Sequence, residues 1–499
     1  MESTKNFLAF DLGAESGRAI VGRLGDGRLT LDVLHRFPNI PVRVASGLHW
    51  DVLRLFQEMK DGLRLACRDG VKLASAGLDT WGVDFALLDS TGALLANPHH
   101  YRDTRTEGAM DEVFAIVPRD EVFRRTGIQF MPLNTLYQLF VLNRDNPALL
   151  DAAEKIILIP DLFNYWFTGE AVCEFTEATT SQCFDPRQGE WAAGMLEKLG
   201  LPASKLGRIV QPGSRLGSLA KHVCEDCDAP SVPVIAPACH DTGSAVAAVP
   251  AGTGPFAYIS SGTWSLVGVE VDEPVINDRS LKYNFTNEGG VAGTYRLLKN
   301  VMGLWIVQEC RRQWEREGVA YDYAKLTAMA SVAAPFRSLI DPDGEDFFAP
   351  GDMPARIRES CRRTGQPVPE SPGEVVRTAL DSLALKYRWV VERLEELIGR
   401  AIPVVHIVGG GTQNTLLSQL TADTCAREVI CGPVEATAIG NVLMQAVGLG
   451  EIGTVREARE IVRNSFELAR FVPSADSGGA AADAYSRFLD VLRESHSIL

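Results

Sequence analysis

The hydrophobic pattern at the head of the chain changes period twice within its first 90 or so residues. The apolar runs in NFLAFDLG (6–13), SGRAIVGRLG (16–25) and RLTLDVLHRF (28–37) have strand length and are parted by short Gly-containing turns, which predicts three consecutive strands. WDVLRLFQEMKDGLRLACRDG (50–70) then sets Leu53, Phe56, Leu63 and Leu65 near helical spacing, with Asp51 and Gly70 at cap positions. LASAGLDTWGVDFALLDSTGAL (73–94) reads as two strand-like segments around DTWG. Three strands, a helix and a strand predict a mixed sheet with a crossover helix. The first Gly turn is followed by a strand, not a helix, so it is not a dinucleotide fingerprint.

The same pattern returns. After the Pro/Gly-rich VPAGTGP (249–255), FAYISSGTWSLVGVEV (256–271) matches FLAFDLGAESGRAIVGRL (7–24) in plan: apolar strand, small-residue turn, apolar strand. This is a repeat of pattern more than identity, and it predicts two domains of one construction joined at 249–255. Later, IPVVHIVGGGTQNTLLSQLTADTC (402–425) reads as a strand, three glycines and a helix that they open, a setting suited to a nucleotide.

At 499 residues the chain is too long for one core. A net charge of −15 disfavours nucleic acid and anionic membrane as main partners. No apolar run reaches membrane-spanning length, and MESTKN lacks signal-peptide design, so a cytoplasmic location is expected. The ten cysteines are scattered; only Cys224 and Cys227 form a Cys-x-x-Cys, without the second pair that a zinc site needs.

Either small-residue turn alone is a hairpin. Two in matching positions, with Asp11 in one and Thr263 in the other, can offer backbone N–H donors to phosphates from both sides. Asp11, at a strand end, suits Mg²⁺ directly or through water, whereas Arg18 reads equally as a solvated strand residue. Asp241 stands where the strand VPVIAPA meets a small-residue helix: a helix N-cap, and also a base facing any interdomain cleft. Asp79 and Asp84 flank Trp81 and Gly82 in what spacing alone makes a sheet turn, or a place for a sugar to meet the backbone. His99, His100, Tyr101, Arg102, Asp103 and Arg105 form a hydroxyl-binding cluster or a solvated loop.

With these segments aligned, nearly the whole chain resembles the FGGY carbohydrate kinases of the actin/hexokinase-type ATPase superfamily. FDLGAESGR (10–18) is similar to the first phosphate motif, ISSGTWS (259–265) to the second, IVGGGTQN (407–414) to the adenosine motif, HDTGSAV (240–246) to the segment of the catalytic aspartate, and EATAIGNVLMQAVGLG (435–450) to the C-terminal signature. DTWGVDFALLD, RDTRT, GIQFMPLNTLYQL and SGTWSLVG resemble the branch acting on L-rhamnulose, where Ala14-Glu15 replaces the usual Thr-Thr or Thr-Ser. The resemblance implies an α/β fold of two RNase H-like domains with the active site in the cleft between them. Their spans would be 1–248 on the sugar side and 256–455 on the nucleotide side, with a helical extension at 456–499.

It further implies that Asp241 takes the proton of the ketose C1 hydroxyl as ATP phosphorylates it. Gly82, His240, Thr242 and Asn300 would lie at the sugar. Ala14, Glu15, Ser16, Gly17, Arg18, Thr263, Gln308 and Gly410 would hold ATP, and Asp11 would anchor Mg²⁺. The partners implied are a small sugar and Mg-ATP, on a monomer or small homo-oligomer. A kinase of fuculose or xylulose, an actin-like ATPase and a sugar sensor are the alternatives that the residues leave open.

Overall fold

In the computed structural model, which describes residues 4–475 and 477–495, the three opening runs form β1 (Lys5–Leu12), β2 (Ser16–Gly25) and β3 (Arg28–Pro38). Helix α1 (Val52–Cys67) crosses to β4 (Leu73–Thr80), and β5 (Arg215–Ser218) and β6 (Pro233–Ile235) complete a sheet of order β5-β6-β4-β1-β2-β3. β1 runs antiparallel to β2 and parallel to β4, a register that sets Asp11 between Arg18 and Asp79. Both outer ends of the expected spans, 1–3 and 496–499, lie outside the described residues.

Two local expectations are corrected. In α1, Asp51 does cap, accepting from the Arg54 N–H, but the buried face starts one residue earlier and runs Val52, Leu55, Met59, Leu63, Ala66. Leu53 is 60% exposed, and the helix ends at Cys67 with Gly70 closing a separate turn. The segment after DTWG, Phe85–Leu88, pairs antiparallel with Lys155–Leu158 in its own two-stranded sheet, so DTWG is not a hairpin turn.

The second sheet comprises β7 (Phe256–Ser261), β8 (Trp264–Val271), β9 (Thr286–Gly289), β10 (Tyr295–Met302), β11 (Val404–Val408), β12 (Glu428–Cys431) and β13 (Ala469–Phe471), in order β9-β10-β8-β7-β11-β12-β13. β7 is antiparallel to β8, β8 to β10, and β7 parallel to β11. That ladder repeats β1, β2, β3 and β4 strand for strand, so the repeat seen in sequence is one of topology.

The remaining helices that bear on the site are α2 (Phe175–Thr180), α3 (Asp241–Ala247), α4 (Trp305–Arg316), α5 (Thr415–Cys425) and α6 (Ala436–Gly448). α6 follows strand β12 of the second sheet in sequence but packs on the first sheet. Its Asn441 Nδ2 donates to Asp79 Oδ2 at 2.6 Å, and Gln445 Nε2 donates to the Leu8 carbonyl at 3.0 Å while Oε1 accepts from Ser75 Oγ at 2.8 Å. α3 crosses α6 and contributes Ala245 and Val246 to a core shared with Phe7 and Ala9 of the first sheet and Tyr258, Leu266 and Leu298 of the second. The crossing is close because Gly440 has no side chain: a Cβ there would stand 1.8 Å from the Ser244 carbonyl oxygen. Among the described residues, no helix is long and apolar enough to cross a membrane.

Gly440→Ala must therefore part α3 from α6. Its expected cost is about 1–3 kcal/mol in urea unfolding, beyond any gain in helix propensity. A variant as stable as the parent would show that the crossing yields freely.

Candidate functional site

The two equivalent turns face one another across a cavity of about 560 Å³ between the sheets. On the first turn, Gly13 N–H donates to the Ser16 carbonyl at 2.9 Å, and Asn39 occupies the Gly13 and Glu15 carbonyls at 3.0 Å each. On the second, the Gly262 and Thr263 carbonyls accept the Leu304 and Trp305 N–H groups at 3.1 Å at the start of α4. With those carbonyls engaged, the turns leave chiefly N–H groups for a ligand, the polarity that an anion needs.

Ala14, Glu15, Ser16, Arg18, Thr263, Gln308 and Gly410 all line this cavity, as does Asp11. Gly17 does not. It is buried against Phe37, whose ring would lie 2.3 Å from a Cβ, so it serves packing rather than the cavity. Arg18 is no solvated strand residue: it bridges Asp11 and Glu435, the latter from the residue before α6. Glu15 pairs with Arg312 of α4 across the cavity mouth. Gln308 Oε1 is buried without a hydrogen-bond partner. The three glycines form a tight turn, Gly410–Gln413, with Gly409 at φ 88° pressed on Ser261; Asn414 follows and itself caps α5 by accepting the Leu417 N–H. They thus end a strand at the cavity instead of opening the helix directly.

Burial pushes the Asp11 carboxyl up to about 6, with the charges of Asp241 and Glu435 adding and Arg18 opposing. Burial also holds Asp79 well above the usual carboxylate range, Asp11 adding to it, and Asp79 Oδ1 has no hydrogen-bond partner. Asp11, Asp79 and Asp241 thus form an acidic cluster in which Arg18 is the countercharge to Asp11.

On the other side stand Gly82, His240, Asp241, Thr242 and Asn300, all lining the same cavity. Asp241 is the first residue of α3, and His240 occupies the cap position without a side-chain capping bond. The N-cap reading of Asp241 therefore fails. Its Oδ1 accepts from Thr242 Oγ1 at 3.1 Å and lies 3.5 Å from His240 Nε2, and its Oδ2 has no protein hydrogen bond among the described residues. The backbone leading into it is pinned from below: Glu174 Oε2 accepts the Cys239 N–H at 3.0 Å, and Thr176 Oγ1 accepts the His240 N–H at 3.0 Å.

Asp84 is a structural acceptor, not an acid–base group. It takes the Trp50 and Trp81 indole N–H groups at 2.6 and 3.0 Å, Gln138 Nε2 at 2.8 Å and the Tyr101 N–H at 3.2 Å, fixing two cavity walls, Trp81 and Tyr101. Val83 beside it sits at φ 71°, a strained conformation for a β-branched residue, and its N–H and carbonyl are held by Thr180 and Thr135. The loop of His99 to Arg105 is packed rather than solvated: His100 stacks on Trp50 at 4.0 Å, and Arg102 lies 4.1 Å over Trp305 while donating to the Phe348 carbonyl. Cys224 and Cys227 share a short helix, and no group of metal-ligating residues occurs among the described residues.

Sequence reasoning named no role for Gln129, Glu288 or Glu435. Gln129 clasps Asn300, Oε1 accepting its N–H at 2.8 Å and Nε2 donating to its carbonyl at 3.2 Å. Gln129 and Glu435 lay in segments that carried the family resemblance; Glu288, in TNEGG, had no local signal.

Comparison with known proteins gives the following. The models of the FGGY family of carbohydrate kinases match at residues 6–248 (N-terminal domain) and 257–449 (C-terminal domain). A Bacteroides thetaiotaomicron protein named rhamnulokinase is 45% identical over 489 residues, covering 98% of this chain and 100% of its own. One of that name from Oceanobacillus iheyensis is 41% identical, covering 92% and 97%. The ligand-bound crystal structure of xylulose kinase from Lactobacillus acidophilus superposes with a TM-score of 0.82 at 14% identity, covering 98% of each chain, a likeness of fold.

Burial pushes Glu174 from the ordinary 4.5 up to about 7, against the hydrogen bonds it accepts from Thr176, Cys239 and Glu177. The folded state thus binds this proton more tightly than the unfolded one. The stability it contributes is complete below pH 4.5 and is lost as pH rises through about 7. Glu174→Gln is neutral throughout and can accept the same N–H groups, so its Tm should fall less than the parent's across that interval in thermal unfolding. An equally steep fall would place the sensitivity on another group.

Proposed function

The chain belongs to the FGGY family of carbohydrate kinases, and from that premise we propose that it transfers the γ-phosphoryl group of ATP to the C1 hydroxyl of L-rhamnulose. The observation that carries the substrate is the near full-length identity, 45 and 41%, to proteins named rhamnulokinase. The cavity supports the chemistry. Residues 1–248 supply most of the sugar side and 256–455 most of the nucleotide side, with 456–499 as an extension.

Asp241 is the general base. Thr242 occupies Oδ1, which leaves Oδ2 to take the proton of the C1 hydroxyl as its oxygen attacks phosphorus. Phosphoryl transfer passes through a loose transition state, so orienting that oxygen matters more than early proton removal. Gly82 lets the sugar approach the backbone, and Asn300, clasped by Gln129, faces it from the second sheet. The phosphates would lie between the first turn, at Ala14, Glu15, Ser16 and Arg18, and the second, about Thr263, with Gln308 and Gly410 toward the nucleoside. Gln308 Oε1, buried and unpartnered, has a lone pair to spend there.

A divalent cation fits this wall. Asp79 Oδ1 is an orphaned buried polar atom, and Asp11, offset by Arg18, and Asp241 stand beside it. The absence of a caging group of ligands among the described residues suits Mg²⁺, which keeps waters and phosphate oxygens in its shell. Asp11 would hold it, directly or through water, and when bound it would neutralise charge on the β- and γ-phosphates.

Coupled ADP release with Mg-ATP and L-rhamnulose, L-fuculose, D- and L-xylulose or L-ribulose tests the reading. L-Rhamnulose should dominate, and Asp241→Asn should lower kcat by about 10²–10⁴-fold without moving Tm. Faster turnover of another ketose would keep the transfer and retire the substrate; undiminished turnover in the variant would retire the base.

A further inference from the structure

The sugar side of the cavity contains a buried ion pair whose use the family motifs do not suggest. Glu288 on β9 is only 4% exposed, yet it lines the cavity. In the β9–β10 register it stands opposite Arg296, so both side chains leave the same face of the sheet, the face that carries Asn300 four residues along β10. Arg296 is fully buried. Its Nε donates to the Gly289 carbonyl at 2.7 Å, and its Nη2 lies 3.1 Å from His240 Nδ1 and 3.3 Å from Glu288 Oε2.

A guanidinium can only donate. The contact with Arg296 therefore puts the lone pair of His240 on Nδ1 and its proton on Nε2, on the Asp241 side. Glu288 Oε2 stands 3.4 Å from that same Nδ1, acceptor facing acceptor, so the ring gives it nothing. No described residue makes a hydrogen bond to Oε2. Burial alone would raise the Glu288 pKa, but the Arg296 charge beside it helps to hold it below the ordinary carboxylate value. Glu288 is thus an ionised acceptor, shut away from bulk water, with an unfilled lone pair at the cavity wall. Such a group costs stability unless a donor reaches it.

We propose that Glu288 is a substrate-binding residue whose Oε2 accepts a hydrogen bond from one ketose hydroxyl other than the one phosphorylated. Arg296 is the positioning residue that fixes it. His240 lies between Glu288 and Asp241, so the hydroxyl at Glu288 is separate from that at the base. A site built around a hydroxyl discriminates strongly against an analogue that lacks it, because the buried acceptor is then left bare. Glu288 accordingly sets which polyol pattern the cavity accepts. The inference rests on the sugar-kinase reading and refines it.

The test is calorimetric binding, without nucleotide, of L-rhamnulose and of analogues each lacking one hydroxyl, to the full chain and to Glu288→Gln. The variant should bind L-rhamnulose about 10–100-fold more weakly. For one analogue, with its C1 hydroxyl intact, parent and variant should bind alike, since the interaction is already gone. Glu288→Asp retains the charge opposite Arg296 but retracts the oxygen, and should show the same loss if the glutamine variant does not fold. Equal losses for every analogue, or unchanged affinity for L-rhamnulose, would overturn the assignment. Binding with this signature but no phosphoryl transfer would retire the proposed reaction and keep the subsite; a parent that binds no L-rhamnulose would retire both.

Discussion

Two helices meet more closely here than side chains allow, and the cavity between the sheets is registered by that contact. Gly440 on α6 presses on the Ser244 carbonyl of α3. Asp241 lies three residues before Ser244 on the same short helix, and Asn441, next to Gly440, holds Asp79 beside Asp11. Asp241 and the carboxyl groups of Asp11 and Asp79 are thereby set relative to each other through backbone, which is stiffer than any chain of side-chain contacts. The shared core around the crossing, with residues from both sheets, makes the two domains one packed body where they touch. The cavity is the space left where they diverge.

That cavity concentrates opposite demands. The wall bearing Asp11 and Asp79 collects carboxyl groups around Arg18, a costly arrangement for buried acids. The opposite wall buries a matched pair, Glu288 and Arg296. Asp84 takes no part in chemistry but determines the shape of that wall: four N–H donors converge on it, two of them from tryptophans, and Trp81 and Tyr101 are held in consequence. The backbone strain at Val83 adjoins this anchor, where Thr135 and Thr180 can maintain it.

What the sequence revealed, and what it hid, divides along physical lines. Strand–turn–strand units were legible because alternating burial and Gly turns are local, and their repetition gave the two-domain plan before any coordinates. Asp11, His240, Asp241 and Asn300 were found through segments of matching motif, and they do converge. Errors arose where a local reading had two solutions. Counting α1 from Leu53 instead of Val52 turned its apolar face outward, and Gly17 reads as a ligand glycine until Phe37 is seen against it. The reading of DTWG as a sheet turn failed because the partner of Phe85–Leu88 comes some 70 residues later, at Lys155–Leu158. Glu288 was silent for a related reason: its meaning lies in Arg296 across a strand pair and in His240 from another domain, neither of which leaves a mark on TNEGG.

The placement of α6 also bears on how the chain comes to be made. The last strand of the first sheet ends at Ile235, but the helix that covers β1 and β4 spans Ala436–Gly448. At a synthesis rate of about 5–20 residues per second, the roughly 200 intervening residues take about 10–40 s to appear. Throughout that interval the apolar face awaiting Val442 and the polar atoms awaiting Asn441 and Gln445 are exposed on the nascent chain. The first domain is thus finished only when its sister is almost complete, and chaperones that guard unfinished sheets during translation have a defined period in which to act.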